Sequence, residues 1–548
     1  MRADQIEQER KYQGGPLPQH LDRVPGVARV LPADPQELDA VYYDTADHAL
    51  LRRGITLRRR TGDQDEGWHL KLPRGPDTRE EIHAADPDGT AQDGAAPGGA
   101  APNGADPDAG VPGAKVPEEL ALRVAVFARG HALRPVVRMH THRRRHHLLD
   151  DGGHVLAEIT EDAVEARVPG PVDHPGGGNG PPDGSGHGTP ATAAWNEIEI
   201  ELGDGDTALL DHVDEVFTGG GLARSPHPSK LARALGELGR TDTPGGPPDP
   251  PPVRLPAGTP AAVVAARIRD LVDTLVDLDP RVRLDEPDAV HRMRVTARRL
   301  RSVLTAHRRL LDRGRSDPLA GELRLLGRTL GRARDQEVLG ERLVAALDRL
   351  PGPLRGGALR GRITAHYARQ YHRAWQQVLA ELDGPRHHRL LDEAERFAAD
   401  PPFTAAARRK KASAYFSRTL RREQRRVVRR LDPALRLDPG PERDAALHRA
   451  RKAAKRARYA AESARPVAPK RAKKFVRRMK DLQQALGDRQ DTAVARAALV
   501  DLGSGGDDGF ALGVLYGLQQ GDAAEAERRV PALLRRARRR GLARLTRR

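Results

Sequence analysis

The chain has 548 residues, more than one domain usually holds, so we expect two or more domains that each bury a core. It contains no cysteine, which excludes disulfide bonds, thiolate nucleophiles and cysteine-bound zinc. No stretch approaches the roughly 18 apolar residues of a membrane span, and the first residues lack the apolar region of a signal peptide. We therefore expect a cytoplasmic protein with no membrane partner.

The net charge of +17 is divided unequally along the chain. Residues 1–260 carry 27 Lys and Arg against 41 Asp and Glu, whereas residues 261–548 carry 66 against 35. A basic half of this size is typical of proteins that bind a polyanion, such as nucleic acid, anionic lipid or polyphosphate. Arg-rich helices that merely keep a surface solvated have the same composition, so composition alone leaves both interpretations open.

Three segments rich in Gly, Pro, Ala and Asp cannot bury a core, and they divide the chain. The first two, at about residues 86–113 and 169–193, are interpreted as disordered insertions. The third, over residues 237–259, is interpreted as a linker. We therefore expect one domain at residues 4–236 and a second at residues 260–545.

Strand-like segments fill the first domain between these insertions. Several alternate apolar and charged residues with a period of two, which indicates strands with one polar face. Several strands of this kind favour a barrel with a packed exterior and a charged interior. The predicted strands cover residues 6–12, 40–45, 54–60, 67–72, 135–149, 154–159 and 195–202.

The first strand carries the motif E-x-E-x-K at Glu7, Glu9 and Lys11. In a strand this spacing places all three side chains on one face. Two carboxylates suit a hard cation such as Mg²⁺ or Mn²⁺, and the lysine suits a phosphate oxygen. A solvated face with cross-strand ion pairs has the same short pattern. A metal- and phosphate-binding site is favoured because other strands also carry charged residues on one face. These residues are Arg58 and Arg60, His69 and Lys71, and Glu197, Glu199 and Glu201.

Six motifs in this domain follow one another in the order of a known family. They are E-x-E-x-K from Glu7, YYDT at residues 42–45, LRRR at 57–60, LKLP at 70–73, EIEIEL at 197–202 and SKL at 229–231. On these motifs the domain resembles the CYTH, or triphosphate tunnel metalloenzyme, family over roughly residues 4–236. The resemblance implies an eight-stranded antiparallel β tunnel that binds a triphosphate chain together with a divalent metal.

The resemblance also implies roles for individual residues. Near Thr160 the family usually has an acidic metal ligand, and Glu158 on the same strand face is taken as its substitute. The implied metal ligands are Glu7, Glu9, Glu158, Glu197 and Glu199, with Glu201 as an outer candidate, and the catalytic set is Glu7, Glu9, Lys11, Glu197 and Glu199. The implied phosphate ligands are Lys11, Arg58, Arg60, Lys71, Arg143 and Lys230, with Arg138 as a second candidate on the strand of Arg143.

After residue 260 the pattern changes to long Ala, Leu and Arg stretches with a 3.6-residue period, which predicts an all-α domain. This half repeats itself. HRMRVTARRLR from His291 is echoed by HRARKAAKRAR from His448, and LGRARD from Leu330 by LGDRQD from Leu486. Two matches at nearly one offset indicate a tandem duplication, with halves at about residues 260–400 and 401–545 and a pseudo-twofold arrangement.

The first repeated motif has basic residues at helical spacings of three and four, so each copy forms one basic stripe. A single stripe is more often a solvated helix face, but a duplicated stripe led by the same His favours a ligand role. On both motifs this half resembles the CHAD, or conserved histidine α-helical, family, which implies two four-helix bundles around a basic cavity that binds inorganic polyphosphate. Asp335 and Asp491 of the second motif are expected to anchor Arg side chains or cap helices. The candidate ligands are His291, Arg294, Arg298, Arg299, Arg301, His448, Arg451, Lys452, Lys455, Arg456 and Arg458.

Three functions remain open at this point. The first is a Mg²⁺- or Mn²⁺-dependent hydrolase of inorganic triphosphate or short polyphosphate whose helical domain binds polyphosphate. Thiamine triphosphatase or adenylate cyclase activity would use the same motifs in the barrel. The second is a non-catalytic polyphosphate-binding protein associated with granules. The hydroxyl at Thr160, where the family usually has an acidic metal ligand, favours this alternative. The third is nucleic-acid binding, which is disfavoured because aromatic residues make up only 3% of the chain.

Overall fold

The computed structural model describes residues 5–62, 66–86, 114–169, 191–239, 255–354, 357–503, 508–539 and 541–545. The predicted insertions and linker lie mainly outside these residues. The chain divides into two compact units, residues 1–248 and residues 249–548. Among the described helices, none combines the length and apolar character that crossing a bilayer requires.

The first unit is a closed antiparallel barrel, as the sequence predicts. The strands are β1 (Gln5–Gln13), β2 (Arg29–Asp44), β3 (Thr56–Thr61), β4 (Gly67–Pro73), β5 (Thr78–Ala84), β6 (Arg134–Leu149), β7 (Val155–Arg167), β8 (Thr192–Leu202) and the two-residue β9 (Ala223–Arg224). The order across the sheet is β5-β4-β3-β2-β6-β7-β8-β1, with β9 beside β1. The first half of β1 pairs with β5 and the second half with β8, and this divided pairing closes the barrel.

The period-two alternation places charged side chains inside the barrel and apolar ones outside. Outward Leu57 and Leu70 are fully buried under a helix, whereas their neighbours Arg58 and Lys71 line the interior. Three helices, which the sequence analysis did not predict, cover this apolar exterior: α1 (Glu118–Ala128), α2 (Thr207–Gly219) and α3 (Lys230–Glu237). Strand β5 was not predicted either.

The aspartate of the YYDT motif has a structural role. Asp44 is fully buried at the end of β2, where its carboxylate accepts hydrogen bonds from three backbone N–H groups of the following turn. These bonds satisfy donors that would otherwise be buried without a partner, so Asp44 fixes the course of the chain between β2 and β3.

In the residues that the structure describes, the second unit is built of helices, as predicted. Its helices are α4 (Pro260–Arg283), α5 (Ala289–Ala306), α6 (Arg313–Leu347), α7 (Gly357–Leu382), α8 (Pro385–Ala399), α9 (Ala405–Arg409), α10 (Ala412–Ala434), α11 (Pro441–Glu462), α12 (Pro469–Gly503) and α13 (Gly509–Ala537). The repeated motifs lie on equivalent helices, the first on α5 and α11 and the second on α6 and α12. Helices α4, α5 and α6 pack against α10, α11 and α12 respectively, so each repeat meets its counterpart.

Candidate functional sites

The interior of the barrel contains a cavity of about 280 Å³ whose walls are mainly charged. Most of the residues predicted for this site line it: Glu7, Glu9, Lys11, Arg58, Arg60, Lys71, Arg143, Glu158, Glu199, Glu201 and Lys230. Other polar residues that the sequence analysis did not single out line it as well: Gln5, Gln36, Tyr42, Thr56, Arg79, Glu81, His83, Arg145 and Ser229.

Cross-strand pairing arranges the charges in rows around part of the wall. In one row Arg143 of β6 lies opposite Asp162 of β7, which lies opposite Glu197 of β8. Each row begins with a basic or imidazole side chain on β6 and continues with acidic or hydroxyl groups on β7 and β8, and this pattern follows from strand register rather than from spacing along one strand. The next two rows are Arg145, Thr160, Glu199 and Lys11, then His147, Glu158, Glu201 and Glu9.

Three carboxylates, Asp162, Glu197 and Glu199, form a cluster in which one oxygen of each lies within 4.8 Å of the others. Lys230, the first residue of α3, places its Nζ 3.0 Å from Asp162, 2.7 Å from Glu197 and 2.8 Å from Glu199. Arg143 donates to both oxygens of Asp162, at 2.8 and 2.7 Å. Although burial opposes their ionisation, these cations lower the pKa of Asp162 and of Glu199. Asp162 and Glu199 are therefore ionised at neutral pH.

Asp162 is a further acidic candidate on the strand around Thr160. Glu158, Thr160 and Asp162 share one face of β7, and the family resemblance takes Glu158 as the substitute for the missing acid. In the structure Glu158 hydrogen-bonds His147 at 2.8 Å, whereas Asp162 joins the carboxylate cluster. The same period-two alternation that selected Glu158 points equally to Asp162. An acid that belongs to the carboxylate cluster therefore lies two residues beyond Thr160.

A second group of charges surrounds Glu81 of the unpredicted strand β5. Lys71 places its Nζ 2.6 Å from Glu7 and 3.6 Å from Glu81. Burial and a hydrogen bond with Glu81 raise the pKa of Glu7 to about 9. Burial also opposes the ionisation of Glu81, but Lys71 and His69 lower its pKa. Of the two carboxyl groups, Glu7 is therefore the more readily protonated.

Ion pairs also fix the side chains of Lys11 and Glu9. Lys11 lies 3.2 Å from Glu9 and also hydrogen-bonds Glu199, and Arg79 lies 2.8 Å from Glu9. Because of Lys11 and Lys71, the pKa of Glu9 is lowered despite burial. Among the residues described, each of these carboxylates therefore has a basic side chain as its partner.

Two predicted residues do not line the cavity. Arg138 is five residues before Arg143 on β6, and an odd separation along a regular strand places the two side chains on opposite faces. Glu197 is buried behind the wall, where Lys230 and the indole N–H of Trp195, at 2.7 Å, both contact its carboxylate. It reaches the site only as part of the carboxylate cluster.

The carboxylate cluster fits a divalent ion by its chemistry. Its donors are all oxygens, as hard cations such as Mg²⁺ and Mn²⁺ prefer. The Lys230 ammonium already lies within 3.0 Å of all three carboxylates, so this arrangement of side chains accommodates a cation. A divalent ion bound there would compete directly with Lys230.

In the helical unit, each repeat holds one arginine of its basic stripe against a glycine. Arg294 lies over Gly331 and places Nη1 3.1 Å from Asp335. In the other repeat Arg451 lies over Gly487, with Nη2 3.8 Å from Asp491. The repeated motif L-G-x-x-x-D therefore supplies a flat surface and a carboxylate for the arginine of the other motif, as was expected for the aspartates.

The two basic stripes approach each other around Lys455. Burial and the charges of Arg451, Arg298 and Arg294 lower the pKa of Lys455 to about 7. Two of these arginines lie on α5, whereas Lys455 lies on α11, so the charges of both repeats act on one ammonium group. Burial also lowers the pKa of His291, and Arg334 adds to the effect. Such an accumulation of cations favours binding of an anion.

Other predicted residues of the stripes contact protein groups. Arg298 donates to the Tyr459 hydroxyl at 2.8 Å, and His448 hydrogen-bonds Gln490 at 2.6 Å. Ion pairs hold Arg456 to Glu423, at 3.1 Å, and hold Arg299 and Arg458 to Glu462, at 3.5 Å each. Arg301 has its pKa lowered by burial and nearby arginines, and Lys452 is exposed.

Comparison with known proteins gives two family matches. Residues 5–235 match the model of the CYTH domain and residues 266–500 that of the CHAD domain. The uncharacterized protein MT2285 of Mycobacterium tuberculosis (strain CDC 1551 / Oshkosh) is 35% identical over 535 residues, covering 95% of this chain and 94% of that protein. Among solved structures, PptA from Streptomyces chartreusis is 23% identical, with a TM-score of 0.42, over 51% of this chain and 99% of that chain. The CHAD domain from the plant Ricinus communis is 23% identical, with a TM-score of 0.39, over 52% and 96%.

Proposed function

The chain belongs to the proteins that join a CYTH domain to a CHAD domain, and from this premise we propose that it hydrolyses inorganic triphosphate or short polyphosphate in the barrel and binds polyphosphate in the helical unit. The observation that carries the first part is a cavity lined by Lys, Arg and Glu side chains, which the all-oxygen carboxylate cluster reaches through Glu199. Carboxylates for metal and cations for phosphate are the two components that a phosphoryl-transfer site needs.

Asp162, Glu197 and Glu199, with Glu7, Glu9 and Glu201 nearby, would hold Mg²⁺ or Mn²⁺. Such an ion, when bound, neutralises phosphate charge and increases the acidity of bound water. The protein's own cations bind and orient the phosphate oxygens, and they stabilise the charge that accumulates on them during the reaction. Three of them, Lys11, Lys71 and Lys230, are now paired with carboxylates. The lysines would exchange these carboxylates for phosphate oxygens, and the carboxylates would be free to hold the metal.

Asp162 also bears on the choice between an enzyme and a protein that only binds. The non-catalytic alternative was based on the hydroxyl at Thr160. Because Asp162 places a carboxylate in the cluster, that reason no longer applies. We therefore favour the catalytic function, with tripolyphosphate ahead of thiamine triphosphate and ATP because the wall offers charged groups and few apolar surfaces for an organic base.

The test of the barrel measures phosphate release by the full-length chain from tripolyphosphate, thiamine triphosphate and ATP, with and without Mg²⁺ or Mn²⁺. The double variant Glu7→Gln and Glu9→Gln should lose activity by at least about 100-fold while remaining folded. A matched control is Glu37→Gln with Asp39→Asn, two exposed acids on β2. Metal-independent release, or full activity of the Glu7/Glu9 variant, would remove this assignment.

For the helical unit, the carrying observation is the convergence of both stripes on Lys455. We expect the double variants Arg294→Ala/Arg298→Ala and Arg451→Ala/Lys455→Ala each to weaken polyphosphate binding in calorimetric titration of the full-length chain. The control, Arg409→Ala with Lys410→Ala, removes two exposed charges elsewhere. Equal weakening by the control, or equally tight binding of duplex DNA at the same ionic strength, would indicate a general polyanion surface.

A further inference from the structure

A third cluster in the barrel contains two imidazoles and one carboxylate. His69 on β4 lies directly opposite His83 on β5, and Glu81 is two residues before His83 on the same strand face. His69 Nδ1 lies 3.0 Å from Glu81 Oε1, and His83 Nε2 lies 3.4 Å from Glu81 Oε2. One ligand atom from each of the three residues lies within 4.8 Å of the other two, which brings them within reach of a single ion.

The donor chemistry of this cluster differs from that of the carboxylate cluster. Two nitrogens and one oxygen suit Zn²⁺, Co²⁺ or another first-row transition ion, whereas Mg²⁺ prefers oxygen ligands. Three protein ligands leave a fourth position for an exogenous group. Glu81 and His83 line the cavity, and His69 lies behind them with 1% of its surface exposed, so the open position would face the cavity.

The surroundings support selectivity for an imidazole-binding ion. Lys71 Nζ lies 3.6 Å from Glu81, and an Arg58 Nη2 lies 4.0 Å from it. The positive charges of Lys71 and Arg58 weaken the binding of any divalent cation at Glu81. An ion that the imidazoles bind only weakly, such as Mg²⁺, is therefore excluded more effectively than Zn²⁺. The strand pairing and the contact with Lys71 hold the Glu81 side chain in place, as groups around a metal ligand commonly do.

We propose that His69, Glu81 and His83 form a transition-metal site, separate from the all-oxygen cluster of Asp162, Glu197 and Glu199. The barrel then has places for two ions of different chemistry, a hard one at the carboxylates and a Zn²⁺- or Co²⁺-type ion at the imidazoles. This inference goes beyond the proposed hydrolysis and does not depend on it, because metal binding is measured without any phosphate compound.

The experiment titrates the untagged, metal-free, full-length chain with Zn²⁺ in a calorimeter, in the presence of excess Mg²⁺ so that hard-ion sites are occupied. Co²⁺ serves as a second probe because nitrogen ligation gives it visible absorption bands. We expect one tight equivalent in the wild type. His83→Gln should weaken it by more than the roughly 10–100-fold that loss of an outer-shell partner costs. His83 is only partly buried, so this change leaves the core intact, and a thermal melt checks the fold.

Two control variants separate this site from the rest of the chain, which contains 21 histidines. His140→Gln with His142→Gln alters an exposed pair that contacts Glu37 at 3.0 and 2.7 Å, and it should leave the tight equivalent unchanged. Asp162→Asn should weaken Mg²⁺ binding but not Zn²⁺ binding. The proposal is overturned if folded His83→Gln binds Zn²⁺ as the wild type does, if the His140/His142 variant loses the site, or if Mg²⁺ abolishes Zn²⁺ binding.

Discussion

Replacing Gly487 by Ala should weaken polyphosphate binding although it removes no charge. A β-carbon at this position would lie 2.9 Å from Nη2 of Arg451 and 3.2 Å from its Nε, against an ordinary contact distance of 3.4–4 Å. The guanidinium must therefore move by about half an ångström or more. The end of an arginine side chain moves easily, so the fold is kept while the position of the charge changes.

The other repeat provides a matched control. A β-carbon at Gly331 would lie 3.4 Å from Nε of Arg294, within ordinary contact distance, so this arginine can stay in place. Both glycines lie inside helices, where Gly→Ala usually stabilises by about 0.5–1 kcal/mol. Stability should thus rise in both variants, whereas affinity should fall only in Gly487→Ala.

The expected loss follows from the partial displacement of one charge-assisted contact. A full contact of this kind contributes about 1.5–3 kcal/mol, so a displaced one should cost about 1 kcal/mol, or about fivefold in Kd. Calorimetric titration with long-chain polyphosphate measures the affinity, and denaturant unfolding measures the stability. Equal weakening in both glycine variants, or no weakening in Gly487→Ala, would refute the view that the L-G-x-x-x-D motif positions arginine.

Three further predictions concern single side chains. Lys230→Met should increase Mg²⁺ affinity in calorimetric titration, because it removes the ammonium that competes for the carboxylate cluster; a decrease would mean that Lys230 supports the metal. Polyphosphate affinity should fall as the pH rises from 6 to 9, because the pKa of Lys455 is lowered to about 7 and the anion binds the ammonium form; Lys455→Arg should show a much flatter pH profile. Asp44→Ala should lower the free energy of unfolding of the barrel by about 2–4 kcal/mol, because three buried N–H donors lose their acceptor. Urea unfolding measures this change, and the control Asp39→Ala, at an exposed position, should have little effect.

Much of the barrel could be predicted because alternation along a strand depends only on sequence. Glu7, Glu9 and Lys11 line the cavity as their spacing indicates. Strand β5 is hard to predict because Ile82 is its only large apolar residue. One face of the strand points into the charged interior of the barrel, so its residues there are polar. The placement of Arg79, Glu81 and His83 at every second position is the sequence signal that indicates this strand.

Other features depend on register and could not be obtained from one strand at a time. Asp162 belongs with Glu197 because β7 and β8 pair them directly, and no spacing along the chain states this. In the helical unit the repeated motifs identified Arg294 and Arg451, but their contact with glycines of another helix depends on packing. Arg138 shares a strand with Arg143, but the odd separation of five residues places the two side chains on opposite faces.

The balance of charge differs between the two sites, and this difference has a consequence for metal dependence. Eight Lys and Arg line the barrel cavity, and six lining Glu together with Asp162 and Glu197 match them in number. A triphosphate that enters this cavity meets carboxylates as well as cations, so binding should require a cation that neutralises the carboxylates. Around Lys455 the nearby charges are mostly positive, with Asp491 as the opposing group, and a polyanion is attracted without a metal. Chelation of divalent ions should therefore abolish activity in the barrel yet leave polyphosphate binding to the helical unit intact. If both were lost, metal would be needed in both units and the charge argument would fail.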